Sequence, residues 1–205
     1  MSFFAPELMV QTALQNAKQS LVANYATSGP DVYGFLPTSP FDFQTDAQNF
    51  WQTNSASLLI QQGLAWQEIQ APQLAVLPQG SDETQQYIGQ VIGIDLDANG
   101  NYTGEQHGTE FSSQIDIHCL AVNANLVAYL VLFAKWALTN QRTALTQAGL
   151  MEQRISVGAL LNLEEQLKES VPVFARILTL SCTHYDTYNE VGIVPSSTSV
   201  NATAN

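Results

Sequence analysis

The sequence predicts an α+β fold: a mostly antiparallel sheet with a β-hairpin, one long buried helix, and an N-terminal helix packed on it. Three observations predict it. An Asn-Gly pair at 99–100 separates two strand-like runs, the strongest short hairpin signal in the chain. Along FSSQIDIHCLAV (111–122), Ile115, Ile117, Cys119 and Ala121 alternate with Asp116 and His118, the period of a half-buried strand. The stretch Leu126–Leu138 then follows at once and is apolar on nearly all sides, so a helix there must be covered on two faces.

The elements follow in order. Residues 6–24 suit a helix: Pro6 fits its first turn, Glu7 complements the positive end of the dipole, and Val10, Leu14, Ala17 and Leu21 form one apolar face. Residues 28–43 hold three prolines among aromatic and aliphatic side chains and read as an apolar loop. A loop of this kind either tucks against its own core or meets a partner, because exposed apolar loops mark contacts. Thr45 or Asp46 can cap a second helix reaching about Gln62, with Phe50, Leu58 and Leu59 inward. Ala65–Ile69 and Gln73–Leu77 are short strand candidates around Ala71-Pro72, and Gln79–Asp82 reads as a turn. Tyr87–Leu96 is a strand that enters the hairpin. Asn123 or Asn125 can cap a helix over 126–147, which Gly149 ends. Arg154–Leu161 and Val173–Tyr185 complete the strands around a charged turn at 164–169. Residues 1–193 are expected to form one domain with an insertion at about 28–63. Residues 194–205 are small and polar and read as a flexible tail.

Composition bounds the function. Only 12% of the 205 residues are charged, about half the usual share, and amides and hydroxyls fill the gap. Such a surface repels neighbours poorly and suits protein–protein contact. The net charge is −12, and the six basic residues, Lys18, Lys135, Arg142, Arg154, Lys168 and Arg176, are scattered singly. No basic run is available to neutralise phosphates, which argues against tight nucleic-acid binding. Two cysteines do not make a disulfide framework. The first residues lack a signal peptide's basic and apolar regions, and the 126–138 stretch is too short for a bilayer and is interrupted by Lys135. The expectation is a protein made in the cytoplasm with no membrane segment.

The chemical motifs are weak. Asp95-Leu96-Asp97-Ala98-Asn99-Gly100 has the spacing that opens an EF-hand calcium loop, but Gln106 stands where the closing Glu belongs, and a strand precedes it. The hairpin reading is preferred. His118, Cys119, Cys182 and His184 are zinc-ligand types, yet neighbours in a strand point to opposite faces. Glu105, His107 and Glu110 cluster without other converging groups. No Ser/His/Asp motif, P-loop or dinucleotide fingerprint is present, and no cofactor or metal is expected. The sequons at Asn101 and Asn201 carry no meaning without secretion.

From Leu74 to Val191 the order of elements resembles that of bacteriophage tail terminator and neck (head-tail joining) proteins. The resemblance is carried by QLAVLPQGSDE, by SSQIDIHCLAV running straight into NANLVAYLVLFAKWALTNQRTAL, by Gly149-Leu150, and by RISVGALL and PVFARILTLSCTHY, after an N-terminal helix at 6–24. It implies a non-enzymatic virion protein forming a ring, usually of six copies, on the end of the tail tube. Such a ring stops tube growth and joins the tail to the head connector, so the implied partners are other copies of the chain, the tube protein and the connector or neck proteins. DNA would pass without specific binding, and an acidic lumen would let it slide. On this reading Asp95, Asp97, Glu105 and Glu110 face the lumen, and Tyr33, Phe35, Leu36, Phe41 and Phe43 meet subunits or partners. The alternatives are another virion component (head-completion, collar or baseplate) and a calcium-binding module built on Asp95–Gly100.

Overall fold

A computed structural model describes residues 5–63, 71–85, 91–100, 102–162 and 173–191. The architecture is α+β. Helices α1 (Pro6–Ala23), α2 (Tyr25–Tyr33) and α3 (Phe43–Asn49) lead into a π-helical turn at Phe50–Asn54 and a 3-10 turn at Ser55–Ser57. Then come β1 (Leu59–Gln62), β2 (Gln73–Gln85), β3 (Val91–Leu96), β4 (Tyr102–Ala121), α4 (Ala124–Asn140), α5 (Arg142–Gln147), β5 (Met151–Asn162) and β6 (Phe174–Val191). The sheet order is β1-β2-β4-β6-β5, with β3 on β4. The β1–β2 pair is parallel; β3–β4 and β5–β6 are antiparallel. The chain divides into two compact units: Ala5–Asp82 with Ser112–His184, and a smaller one of Met1–Phe4, Glu83–Phe111 and Tyr185–Asn205.

The core of the larger unit is α4. The Asn123 side chain caps it, accepting the Leu126 N–H at 2.7 Å. Val127, Leu130, Phe133, Ala134, Ala137 and Leu138 are buried, and α1 and α2 pack against it. Each fully buried Leu or Phe here contributes about 1.5–3 kcal/mol. The expected single helix over 126–147 is interrupted at Gln141, after which α5 starts. Gly149 ends α5 as expected, at φ +104. The Leu150 N–H bonds the Leu145 carbonyl and the Gly149 N–H the Thr146 carbonyl, the paired closure that favours glycine at a helix end.

Four local expectations are corrected. Residues 25–33 are helical despite Pro30, because burying Val32 and Tyr33 outweighs the lost N–H. Gly29 lets the Tyr25 ring lie close to the backbone, since a Cβ there would stand 2.6 Å from it and the ring would have to shift. The helix after the loop is capped by Asp42, whose carboxylate accepts the Thr45 N–H at 2.9 Å, and helical structure stops at Ser57. Leu59–Gln62 is a strand instead of a helix end. Gln79–Asp82 lies within β2 and is not a turn. The strand expected at Ala65–Ile69 and the start of that at Tyr87–Leu96 lie outside the described residues, as does the tail at 194–205. Among the described residues no helix is long and apolar enough to cross a membrane.

Candidate functional site

The hairpin forms where the Asn-Gly pair predicts it, through a different turn. The Gly100 N–H bonds the Asp97 carbonyl at 2.9 Å, so Ala98 and Asn99 are the central residues. Gly100 has φ +81, the left-handed conformation that glycine adopts at no steric cost, and the ladder shifts beyond it, leaving Thr103 unpaired between Tyr102 and Gly104. Asp97 Oδ1 accepts the Asn99 N–H at 2.8 Å, so this carboxylate braces its own turn. Asp95 stands opposite Gly104, and Glu105 opposite Ile94, in the ladder. Glu110 is half-buried and accepts the Tyr185 hydroxyl at 3.3 Å, tying β4 to β6. Among the described residues no three His, Cys, Asp or Glu side chains converge as a metal site. The hairpin also carries exposed apolar side chains that a reading focused on its acids passes over. Ile94 and Leu96 lie two residues apart, on one face, and Tyr102 pairs with Leu96.

The segment 33–43 separates into core and surface. Tyr33 is 2% exposed, so its assignment as a contact residue is corrected: it belongs to the chain's own interior. Its hydroxyl accepts the Trp51 Nε1–H at 2.6 Å and donates to the Tyr129 carbonyl at 3.1 Å. Leu36 and Phe43 are half-buried. Phe35 and Phe41 are 68% and 72% exposed. They are displayed from an ordered loop. Gln44 Nε2 donates to the Gly34 and Leu36 carbonyls at 2.9 and 2.8 Å, and Phe41 lies 6.1 Å from Phe43 between ring centroids. Asp42 adjoins Phe41 and is fully exposed; hydrogen bonds from Thr45 hold its carboxyl below the usual range.

The two edges of the larger sheet are treated differently. The Leu59 N–H bonds the Pro72 carbonyl just before β2 and the Gly63 N–H bonds the Val76 carbonyl of β2, so the carbonyls of Leu58 and Ile60 face away from the sheet. α1 covers them: Gln11 and Gln15 both donate to the Ile60 carbonyl at 3.3 Å, and Lys18 Nζ donates to Leu58 at 2.8 Å. Covering an edge in this way stops it pairing with another chain. β5, at the other end of the sheet, leaves Met151, Val157, Leu160 and Leu161 exposed. The three arginines of the chain all lie on or against β5: Arg154 within it, Arg142 and Arg176 bonded to it. Arg176 Nε donates to the Gly158 carbonyl at 2.8 Å, and Arg142 Nη2 reaches the Gln153 carbonyl at 3.5 Å. Arg142, Thr146, Glu152, Gln153 and Arg154 line an open groove of about 430 Å³. At its rim Glu152 has φ +46, a left-handed conformation that a glutamate rarely adopts.

The buried nucleophile types sit in structural settings. Burial pushes the Cys182 thiol up to about 11 and the Cys119 thiol higher still. Ser113 is buried, within 2.6 Å of the Ser81 hydroxyl and 3.4 Å of His184 Nδ1, a polar rung within the sheet. Comparison with protein-family models and with curated proteins returns no match to this chain.

Proposed function

We propose that this chain is a structural virion protein that assembles as a ring on the end of a phage tail tube, ends tube growth and joins the tail to the head connector. The observation that carries this reading is the display of exposed apolar side chains on three ordered elements. These are Ile94, Leu96 and Tyr102 on the hairpin, Phe35 and Phe41 on the loop after α2, and the exposed aliphatic side chains of β5. Only 12% of the chain is charged, so few charges keep neighbours apart. Several separate apolar patches suit a protein with several neighbours, because a ring joins two different patches of one chain and still needs a face for the tube and another for the connector. The net charge of −12 suits passage of DNA, whose phosphates an acidic lumen repels. Asp95, Asp97, Glu105 and Glu110 remain the residues assigned to that lumen.

Tube capping tests the reading. Added to polymerising tail-tube subunits of the same phage, the chain should shorten the tubes and leave a ring at one end in electron micrographs. Tubes that elongate unchanged and carry no added density would contradict it.

A further inference from the structure

Charge is distributed along this chain in blocks. Residues 19–134 hold eleven acidic residues and no lysine or arginine, whereas residues 142–176 hold the three arginines and Lys168 against four glutamates, a balanced block. In the larger unit the two blocks become two surfaces. The first is the loop after α2, where exposed Phe35 and Phe41 lie beside Asp31 and Asp42, both exposed. The second is the open edge of the sheet, where Met151 and Leu160 pair with Thr183 and Arg176 of β6 on the same face of β5 as Arg154, beside the groove lined by Arg142 and Arg154. Glu152 in that groove opposes the sign, but two guanidinium groups outnumber it.

We propose that these two surfaces are the two halves of one interface: the Phe35–Asp42 loop of one copy docks on the β5 edge of the next. Resting on the ring reading above, the proposal names the contact that would build the ring. The occupant of the β5 edge is a second copy because the chain itself carries the complement: aromatic rings for the exposed Met151 and Leu160, and carboxylates for arginines. Aromatic residues and arginine are the side chains that dominate interface cores, and arginine also stacks on aromatic faces. A contact between different surfaces of identical chains is heterologous and propagates by rotation, which a closed ring requires. The two ends of the sheet agree with this: α1 covers β1 against strand pairing, whereas Met151 and Leu160 on β5 stay exposed.

Disulfide trapping between two single variants tests the proposal. Cys119 and Cys182 are buried, so the introduced thiols are the reactive ones under mild oxidation. Phe35→Cys and Leu160→Cys both replace exposed side chains, so both variants should fold. The mixture should give a cross-linked pair that neither variant gives alone, and the double variant should give a ladder of higher multiples. Adding Arg142→Glu and Arg154→Glu to the Leu160→Cys chain should cut the mixed product about tenfold, the effect of placing like charges across a contact. Equal cross-linking of Phe35→Cys with itself would overturn the proposal. So would a mixture without product while the unmodified chain still assembles by light scattering; the ring reading would then stand with another interface. A mixture without product from a chain that stays a single copy would overturn both.

Discussion

Trp51 Nε1 donates to the Tyr33 hydroxyl at 2.6 Å, and both side chains are buried. The relationship fixes the standing of the segment 25–57. Trp51 also packs against Phe133 of α4 with ring centroids 4.7 Å apart and the rings tilted by 49°, and Tyr129 of α4 donates to Asp46 at 3.0 Å. The segment that reads as an inserted loop is fastened to the central helix by aromatic packing and two hydrogen bonds. Its exposed residues, Phe35 and Phe41, therefore stand on a firm base.

Tyr33→Phe keeps the ring and removes the hydroxyl. Trp51 Nε1 then loses its acceptor, and the Tyr129 carbonyl keeps only its helical partner. The expected loss is about 1–3 kcal/mol, the cost of leaving a buried polar group unpaired. Denaturant unfolding should show a lower midpoint with an unchanged slope. Trp51→Ala should cost about 3–5 kcal/mol, because a cavity is added.

Asn123→Ala removes the acceptor for the Leu126 N–H at the start of α4. Stability should fall by about 0.5–2 kcal/mol, and Asn123→Ser or Asn123→Asp should restore most of it. Thermal melts of the four proteins check this; a chain of this size should shift by roughly 2–4 °C for each kcal/mol.

His118 on β4 is half-buried, and burial lowers its pKa from the ordinary 6.5, with Asp116 opposing. The unfolded chain therefore binds this proton more readily than the folded one. The folded state has its full stability above about pH 6.5 and loses part of it as pH falls through the depressed folded value. Unfolding by urea at a series of pH values should show that decline, and His118→Gln should flatten it. An identical slope in both proteins would assign the decline to the carboxylates.

Gln11, Gln15 and Lys18 close the β1 edge. Replacing all three by Ala exposes the outward carbonyls of Leu58 and Ile60. The variant should aggregate at concentrations where the parent chain is clear, measured by turbidity or sedimentation, because an uncovered edge pairs with other chains. Lys18→Ala alone should have a smaller effect, since the glutamines still hold Ile60.

Much of the fold was legible because its strongest elements obey local rules. Asn123 and Gly149 bracket the helical stretch by cap chemistry, and the alternation at 115–121 set the buried face of β4. Failures came where tertiary contact overrides local preference. Pro30 and Gly29 speak against the helix that Val32 and Tyr33 stabilise by burial. β1 is four residues long, too short to separate from the helix pattern before it, and its pairing with β2 is not local. Gly80 suggests a turn inside a strand that simply continues, at φ +149. The candidate site was half legible. Phe35 and Phe41 follow from the apolar composition of their loop. The β5 edge does not, because RISVGALL looks the same whether its strand is central or terminal in the sheet. The block distribution of charge was visible in the sequence as a missing base between Lys18 and Lys135.

The central claim is that the chain works by assembling with copies of itself, and its mass in solution tests this most directly. Light scattering and native mass spectrometry over a range of concentrations, with and without chelator, should find a closed multiple of 22.4 kDa near six copies that chelator does not change. A particle of 22.4 kDa at every concentration, stabilised only when calcium is added, would contradict the account and move attention to the Asp95–Gly100 turn.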